Sequence, residues 1–199
     1  CVTNIGGPLN YLENNGINIA STLFIEKGSP TTLKQLFEQT DWQEVVIKPA
    51  ISGAARNTYR IEKSNLLKYE NIFQRLIHDE CMLFQEFLKN ITSKGEISLI
   101  LIGGKYTHAV KKIAKEGDFR VQDDHGGTVK KYTPNKKEIM FAEDCLKASP
   151  HNPIYARVDI VYDNNHNASL SELELIEPEL WFRNYPEAAN LLAKEMSAL

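Results

Sequence analysis

Two strand-like segments late in the sequence combine an apolar pattern with acidic residues, and this combination limits how they can be buried. YARVDIVYD covers residues 155–163, and SLSELELIEP covers residues 169–178 after the turn sequence NNHNA. Two such segments joined by a short turn predict an antiparallel hairpin. Because successive side chains of a strand point to opposite faces, Glu172 and Glu174 share one face and the neighbouring leucines the other. One face of the hairpin must therefore accommodate adjacent carboxylates.

A third carboxylate is predicted to join these two. Asp159 shares a face of the first strand with Arg157, and pairing of the strands through the turn would bring Asp159 close to Glu172 and Glu174. Three carboxylates from adjacent strands provide the oxygen ligands that Mg²⁺ prefers. Alternatively, the acids face solvent on an edge strand or form ion pairs with Arg157. The residues alone leave both interpretations open.

Composition excludes several classes of protein. The chain has 199 residues, of which 42% are hydrophobic, which is enough for one domain or two small lobes. A net charge of −3 and a pI near 6.0 give no electrostatic basis for binding nucleic acid. The sequence contains neither an apolar run long enough to span a membrane nor a signal segment. The three cysteines are far apart and lack metal-type spacing, so we expect no disulfide scaffold, no zinc site and a cytoplasmic location.

The rest of the chain predicts alternating strands and helices, typical of an α+β or α/β protein. Strands are predicted at 17–25, 44–49, 59–62 and 82–88 and on both sides of Gly103-Gly104, helices at 8–15, 29–40, 64–79, 136–149 and 186–198, and a polar loop at 119–132. A change in composition near residue 90 predicts a small lobe, 1–90, and a larger lobe with an antiparallel sheet, 91–199. A cleft between lobes is the usual ligand site.

Two features of the first lobe are compatible with nucleotide binding. Lys48 ends an apolar strand just before a loop of small residues, and a lysine beside exposed backbone amides can hold phosphates. A solvated lysine at a strand end is the alternative. The segment FQEFL, at 84–88, leads into a polar connector whose backbone could contact a purine edge, although an ordinary core strand has the same pattern.

Taken in order, these segments resemble the ATP-grasp superfamily, in particular bacterial glutathione synthetases and the related cycloserine-forming ligases. The similarity extends from about residue 17 to the end of the sequence given. It implies the ATP-grasp fold, an α+β fold of two lobes with the nucleotide cleft between them. The N-terminal substrate lobe of the family is expected to be missing.

The resemblance implies roles for individual residues. The implied nucleotide-binding residues are Lys48, Gly53, Gln85, Glu86, Phe87, Leu88, Glu96 and Lys112. Arg120, in GDFRVQDDHGG, is similar to the catalytic arginine, and Lys48 is implied to take part in catalysis as well. The implied ligands of Mg²⁺ or Mn²⁺ are Asp159, Glu172 and Glu174. Many members of the family have asparagine at the position of Glu174, so this site is more acidic than usual.

The activity implied is an ATP-dependent ligase that joins a small-molecule carboxylate to an amine through an acyl phosphate. A catalytically silent nucleotide-binding module and an ATP-grasp kinase of a small molecule are the alternatives. Arg157, His125 and Glu177 are candidate substrate contacts. We expect no nucleic-acid or membrane partner, and the oligomeric state stays open, a homo-oligomer included.

Overall fold

The computed structural model describes residues 7–51, 55–115, 117–121 and 126–198. These residues form two compact units, one made of residues 7–11 and Ala20–Phe87 and the other of Leu12–Ile19 and residues 88–198. The predicted lobe boundary at residue 90 lies close to the boundary between the units at Phe87 and Leu88. Residues 12–19, predicted to lead into the first lobe, instead belong to the second unit.

The first unit is built on a four-stranded antiparallel sheet in the order β1-β4-β2-β3. Its strands are β1 (Thr22–Ile25), β2 (Glu44–Pro49), β3 (Tyr59–Glu62) and β4 (Met82–Glu86). Its helices are α2 (Leu33–Glu38) and α3 (Glu70–Asp79), with a 3₁₀ helix at Lys63–Lys68, and α1 (Gly7–Asn14) contributes to both units.

The core of the first unit lies between this sheet and its two α-helices. Phe37, Phe73 and Phe84 are fully buried there, and the rings of Phe37 and Phe84 meet edge to face at 5.1 Å. Helix α2 begins later than predicted because Thr32 caps it with its side chain, in a capping box completed by Gln35.

Two other predictions in the first unit need correction. The helix predicted at 64–79 is divided into a 3₁₀ helix and α3, with Tyr69 between them. The sequence predicts no disulfide scaffold, and Cys81 is nevertheless disulfide-bonded. Cys145 is a free, buried thiol, and burial raises its pKa to about 12, which makes it unreactive.

The second unit is built on a five-stranded antiparallel sheet in the order β7-β6-β5-β8-β9. Its strands are β5 (Glu96–Ile102), β6 (Lys105–Ile113), β7 (Thr128–Tyr132), β8 (Tyr155–Tyr162) and β9 (Ala168–Glu174). Its helices are α4 (Asn90–Lys94), α5 (Lys136–Ala148) and α6 (Glu187–Met196).

The two hairpins predicted in this sheet are confirmed. Gly103 and Gly104 both adopt positive φ in the turn between β5 and β6. The predicted loop at 119–132 is wrong at its end, because residues 128–132 pair with β6 as an edge strand. Strand β9 ends at Glu174, four residues before its predicted end, and Glu177 then adopts a left-handed conformation with φ +48°.

Each face of this sheet is covered differently. Helix α5 packs on β8 and β9 with Ala142, Cys145 and Leu146 buried. The opposite face carries a cluster of Ile100, Val110 and Trp181 together with the charged residues described below. None of the helices in the described parts of the chain is long and apolar enough to cross a membrane.

Candidate functional site

The pairing of β8 with β9 brings the acidic residues of the hairpin to one face of the second unit. Asp159 lies directly opposite Glu172, and Arg157 lies directly opposite Glu174. The register shifts after Asp159, so Ser171 has no direct partner and the two strands form a β-bulge at this point. Bulges are common beside functional sites, where they change the direction of side chains.

Arg157 is the cation that lies among these three carboxylates. Its Nε donates to Asp159 Oδ2 at 3.0 Å, its Nη2 donates to Glu172 Oε2 at 3.4 Å, and the same nitrogen pairs with Glu174. The structure therefore shows the ion-pair arrangement that the sequence left as an alternative.

A second cation, Lys112, lies on the same face and connects β6 to β8. Its buried Nζ donates to Glu96 Oε1 at 2.6 Å and to Asp159 Oδ2 at 3.1 Å. Glu96 is the direct partner of Lys112 in the β5–β6 register, which explains how the two side chains meet. Burial would lower the pKa of Lys112, but the carboxylates of Asp159 and Glu96 outweigh burial and raise this pKa.

The acids differ in protonation behaviour. Burial would raise the pKa of Asp159, yet Lys112 and Arg157 together hold it below its ordinary value. Desolvation of the carboxyl group, followed by repulsion from Asp159, raises the pKa of Glu172. Asp159 is therefore held ionised by its partners, whereas Glu172 carries a charge that is less well compensated.

The whole cluster has an excess of negative charge. Its members are the four acids Glu96, Asp159, Glu172 and Glu174 and the two cations Lys112 and Arg157. With all six groups ionised, the cluster has two more negative than positive charges. One divalent cation would balance them.

The donor chemistry of this cluster fits Mg²⁺, but the present side-chain arrangement does not yet form a coordination site. Carboxylate oxygens are suitable ligands for this ion. The Glu172 and Glu174 side chains are 55% and 29% exposed, whereas Asp159 is 1% exposed. Within the residues that the structure describes, no three His, Cys, Asp or Glu side chains are grouped so that they could hold a metal ion. The three acids face Arg157 instead, so a metal would have to replace ion pairs.

Most of the other predicted nucleotide-binding residues lie in the first unit. Lys48 lies in β2 opposite Leu83 and is half-buried. Gln85 in β4 donates from Nε2 to Thr22 Oγ1 at 2.9 Å. Glu86, the last residue of β4, is half-buried, and Leu88 is buried in the second unit. Gly53 lies outside the described residues.

Phe87 is 3% exposed and its ring is covered within the first unit. The Arg60 guanidinium lies 3.9 Å from the ring centroid and also forms an ion pair with Glu44. The Phe87 amide donates to the Glu44 carbonyl at 3.0 Å. This ring is therefore a packing element of the first unit, with little free surface for a ligand.

Arg120 is held by an acidic residue that sequence analysis missed. The Asp118 carboxylate accepts hydrogen bonds from the backbone amides of Phe119 and Arg120 and from Nη2 of Arg120, the last at 2.7 Å. These bonds, the side-chain bond foremost, hold the pKa of Asp118 well below its usual range. The spacing Asp-x-Arg was a usable signal, because an aspartate often bonds to the amide two residues later. His125 lies outside the described residues.

The segment after β9 is anchored to the charged face by polar contacts. His108 Nε2 contacts the Leu180 carbonyl at 2.8 Å, and its ring lies 4.5 Å from that of Tyr185. Glu179 accepts from the Trp181 amide and from Arg183. This segment positions the end of β9, and Glu177 within it is exposed.

Comparisons with known proteins give a consistent family and fold. Residues 18–171 match the family described as prokaryotic glutathione synthetase, ATP-grasp domain. A search of curated proteins finds no match.

Several solved structures share the fold. D-cycloserine synthetase DcsG has a TM-score of 0.81 at 20% identity and is matched over 96% of this chain and 68% of that one. D-alanine–D-alanine ligase from Bacillus anthracis has a TM-score of 0.67 at 17% identity, over 96% and 63%. ATP-grasp ligase PsnB, complexed with minimal precursor, Mg and ADP, has a TM-score of 0.65 at 15% identity, over 94% and 57%. The chain thus spans only part of the length of each of these structures.

Proposed function

Because the chain belongs to the ATP-grasp family of prokaryotic glutathione synthetases, as the order of its motifs predicts, we propose that it provides the nucleotide- and metal-binding part of an ATP-dependent ligase. The reaction would join a carboxylate to an amine through an acyl phosphate. The observation that carries this proposal is the charge cluster of the second unit, in which four carboxylates surround only two cations.

In this proposal Asp159, Glu172 and Glu174 hold the divalent metal, Mg²⁺ or Mn²⁺. When bound, such an ion supplies positive charge to phosphate oxygens. Transfer of a phosphoryl group depends on positioning and charge neutralisation more than on covalent help from the protein. A compact set of ionised side chains can provide both the positioning and the charge neutralisation.

The cationic residues would balance the remaining phosphate charge. Lys112 is kept protonated by Glu96 and Asp159, so it is a permanent positive group at the centre of the cluster. Arg120 would stabilise the negative charge that develops during transfer, once its guanidinium exchanges Asp118 for the reacting group. Both roles follow from charge and hydrogen-bonding capacity.

The first unit would bind the nucleotide. We assign phosphate contacts to Lys48 and Gly53, and base contacts to Gln85, Glu86 and the backbone of the segment that ends at Leu88. Phe87 takes a supporting role in this scheme, because Arg60 covers its ring.

The substrates belong to a class suggested by the relatives. The structures that share the fold include a D-cycloserine synthetase, a D-alanine–D-alanine ligase and a ligase complexed with a precursor peptide. We therefore propose an amino acid or a peptide carboxylate as one substrate and a small amine as the other. We place the activity in the cytoplasm, where ATP and Mg²⁺ are supplied, with no nucleic-acid or membrane partner and a homo-oligomer as one permitted assembly.

Product analysis tests this proposal. The full-length protein would be incubated with ATP, Mg²⁺ and a panel of amino acids, and ADP, phosphate and amide products would be measured. Amino-acid-dependent ADP and phosphate release together with an amide product is the expected result. A phosphorylated product without an amide would identify a kinase, and binding of ATP without turnover across the panel would identify a silent module.

Glu172→Gln is the matched variant for this assay. It removes one ligand charge from a side chain that is 55% exposed, so the fold should stay intact. Turnover should fall by at least about 100-fold, the scale of losing one electrostatic contact in an active site. Near-normal turnover would contradict the assignment of Glu172.

A further inference from the structure

Arg157 is one of two cations in a cluster that has an excess of negative charge. It contacts three carboxylates from two strands, and these are the same three that the proposed function assigns to the metal. The three carboxylates proposed as metal ligands are therefore paired with a cation that belongs to the protein.

The two ends of the Arg157 guanidinium have different surroundings. Nε bonds to Asp159, which is buried and also held by Lys112. Nη2 reaches the more exposed Glu172 and Glu174. The inner contact is anchored by a network, whereas the outer contacts lie where an ion from solvent can compete for the same oxygens.

Repulsion between the carboxylates explains why this cluster needs a cation even without a metal ion. Asp159 and Glu172 are direct cross-strand partners, and like charges in directly opposed positions destabilise a sheet. Without Arg157, Lys112 would be the only cation of the described cluster for four carboxylates. A planar guanidinium with five donors can bond to several carboxylates at once, which a lysine ammonium does less well.

We infer that Arg157 neutralises the metal-binding carboxylates before the divalent ion arrives, and that ion binding releases Glu172 and Glu174 from Nη2 while Asp159 keeps Nε. The inference rests on the proposed function, since it concerns the same three acids. Arg157 is thus an internal substitute for the metal.

Thermal unfolding with Mn²⁺ as the only added ligand tests this inference. Arg157→Met keeps most of the apolar stem and removes the charge. In metal-free buffer its Tm should fall by about 10 °C, because the buried Asp159 carboxylate loses one of its two cationic partners. Saturating Mn²⁺ should restore most of this loss, so the Mn²⁺-induced rise in Tm should be several-fold larger than in the wild type.

Binding measured by electron paramagnetic resonance of Mn²⁺ gives a second readout. Removal of the competing cation should tighten the Kd of Arg157→Met by about tenfold. Arg157→Lys should recover part of the metal-free stability and bind Mn²⁺ with intermediate affinity. If Arg157→Met does not fold without metal, the lysine variant provides the same comparison.

Arg60→Met is the matched control, since Arg60 pairs with Glu44 in the first unit and has no role in the metal site. Its Tm should fall less and should show the same Mn²⁺ response as the wild type. An equal Mn²⁺ response in wild type and Arg157→Met, or weaker binding by the variant, would make Arg157 an ordinary structural ion pair and overturn the inference alone. Absence of any Mn²⁺ binding by the wild type would overturn the proposed metal site as well.

Discussion

The charged face of the second unit and the Phe87 region of the first unit both contain predicted ligand-binding residues. The two regions differ in how far their ion pairs are buried. In the second unit Lys112 and Asp159 are removed from water and compensate each other. In the first unit the Phe87 ring lies beside Arg60, which pairs with Glu44, and the Arg60 side chain is 40% exposed.

This contrast bears on the metal site proposed at the charged face. Desolvating an ion pair costs free energy that its own attraction repays only with good geometry, so a buried ionic cluster is seldom the most stable solution. Its presence on one sheet face is consistent with the proposed metal site, which would require these charges. The Phe87 region uses ordinary packing, and substitutions there should affect stability modestly.

The largest expected effect is at Asp159. Asp159→Asn removes the buried charge that Lys112 and Arg157 share, and Glu96 is then the remaining carboxylate partner of the buried Lys112 within the cluster. We expect a loss of about 3–5 kcal/mol in the free energy of unfolding, measured by urea denaturation. Glu172→Gln is the control from the same cluster, and a change above about 1 kcal/mol there would remove the contrast between buried and exposed acids.

Gly95→Ala should have the next largest effect, because it disturbs the strand that positions Glu96. Gly95 has φ +70°, and a Cβ atom on it would lie 2.2 Å from the Lys112 carbonyl oxygen. We expect a loss of about 3 kcal/mol from the clash and the left-handed backbone together.

Gly104→Ala is the control that separates these two contributions. Gly104 has φ +77° and nothing within 4 Å of an added Cβ. It should lose only about 1 kcal/mol. Equal losses for both variants would mean that the close approach of β5 to β6 at Gly95 carries no energetic weight.

Arg60→Met tests the Phe87 region of the first unit. It removes a cation–π contact worth about 0.5–1 kcal/mol and a partly exposed ion pair worth about 0.2–1 kcal/mol. The loss of unfolding free energy should therefore be about 1–2 kcal/mol. A loss as large as that of Asp159→Asn would show that the Phe87 region, too, depends on compensated charge.

The smallest effect expected is a pH dependence from His108. Burial, only partly opposed by the hydrogen bond to Leu180, lowers the pKa of His108 below its ordinary value of 6.5. The unfolded chain therefore binds more protons, and stability is complete above pH 6.5 and falls as the pH decreases toward the folded pKa. The slope cannot exceed about 1.4 kcal/mol per pH unit. His108→Gln should flatten the dependence between pH 7 and pH 5, and an unchanged slope would assign it to other groups.

Much of the fold could be predicted where the signals are local. Strands β2 and β3 and the hairpin at Gly103-Gly104 have clear apolar alternation or turn residues, and helix α5 has an N-cap at Asn135 with Glu138 completing the capping box. These features act within a few residues along the chain. Strand β7 could not be predicted in the same way, because its polar sequence becomes a strand only by pairing with β6.

The candidate site also contains features that residue order predicts and features that it does not. Alternation along β9 places Glu172 and Glu174 on one face, and this could be read from the order of residues. Asp118 beside Arg120, and Arg60 over Phe87, involve side-chain contacts that the pattern of apolar residues does not encode.

Residue order therefore specified an acidic strand face, the family to which the chain belongs and most of its regular elements, since these depend on periodicity and on motifs along the chain. The folded arrangement alone assigned Arg157 to three carboxylates, inserted a bulge after Asp159 and allotted residues 12–19 to the second unit. The physical reason is that compensation of charge depends on register and on distances of a few ångströms between strands. Those distances exist only once the sheet has formed.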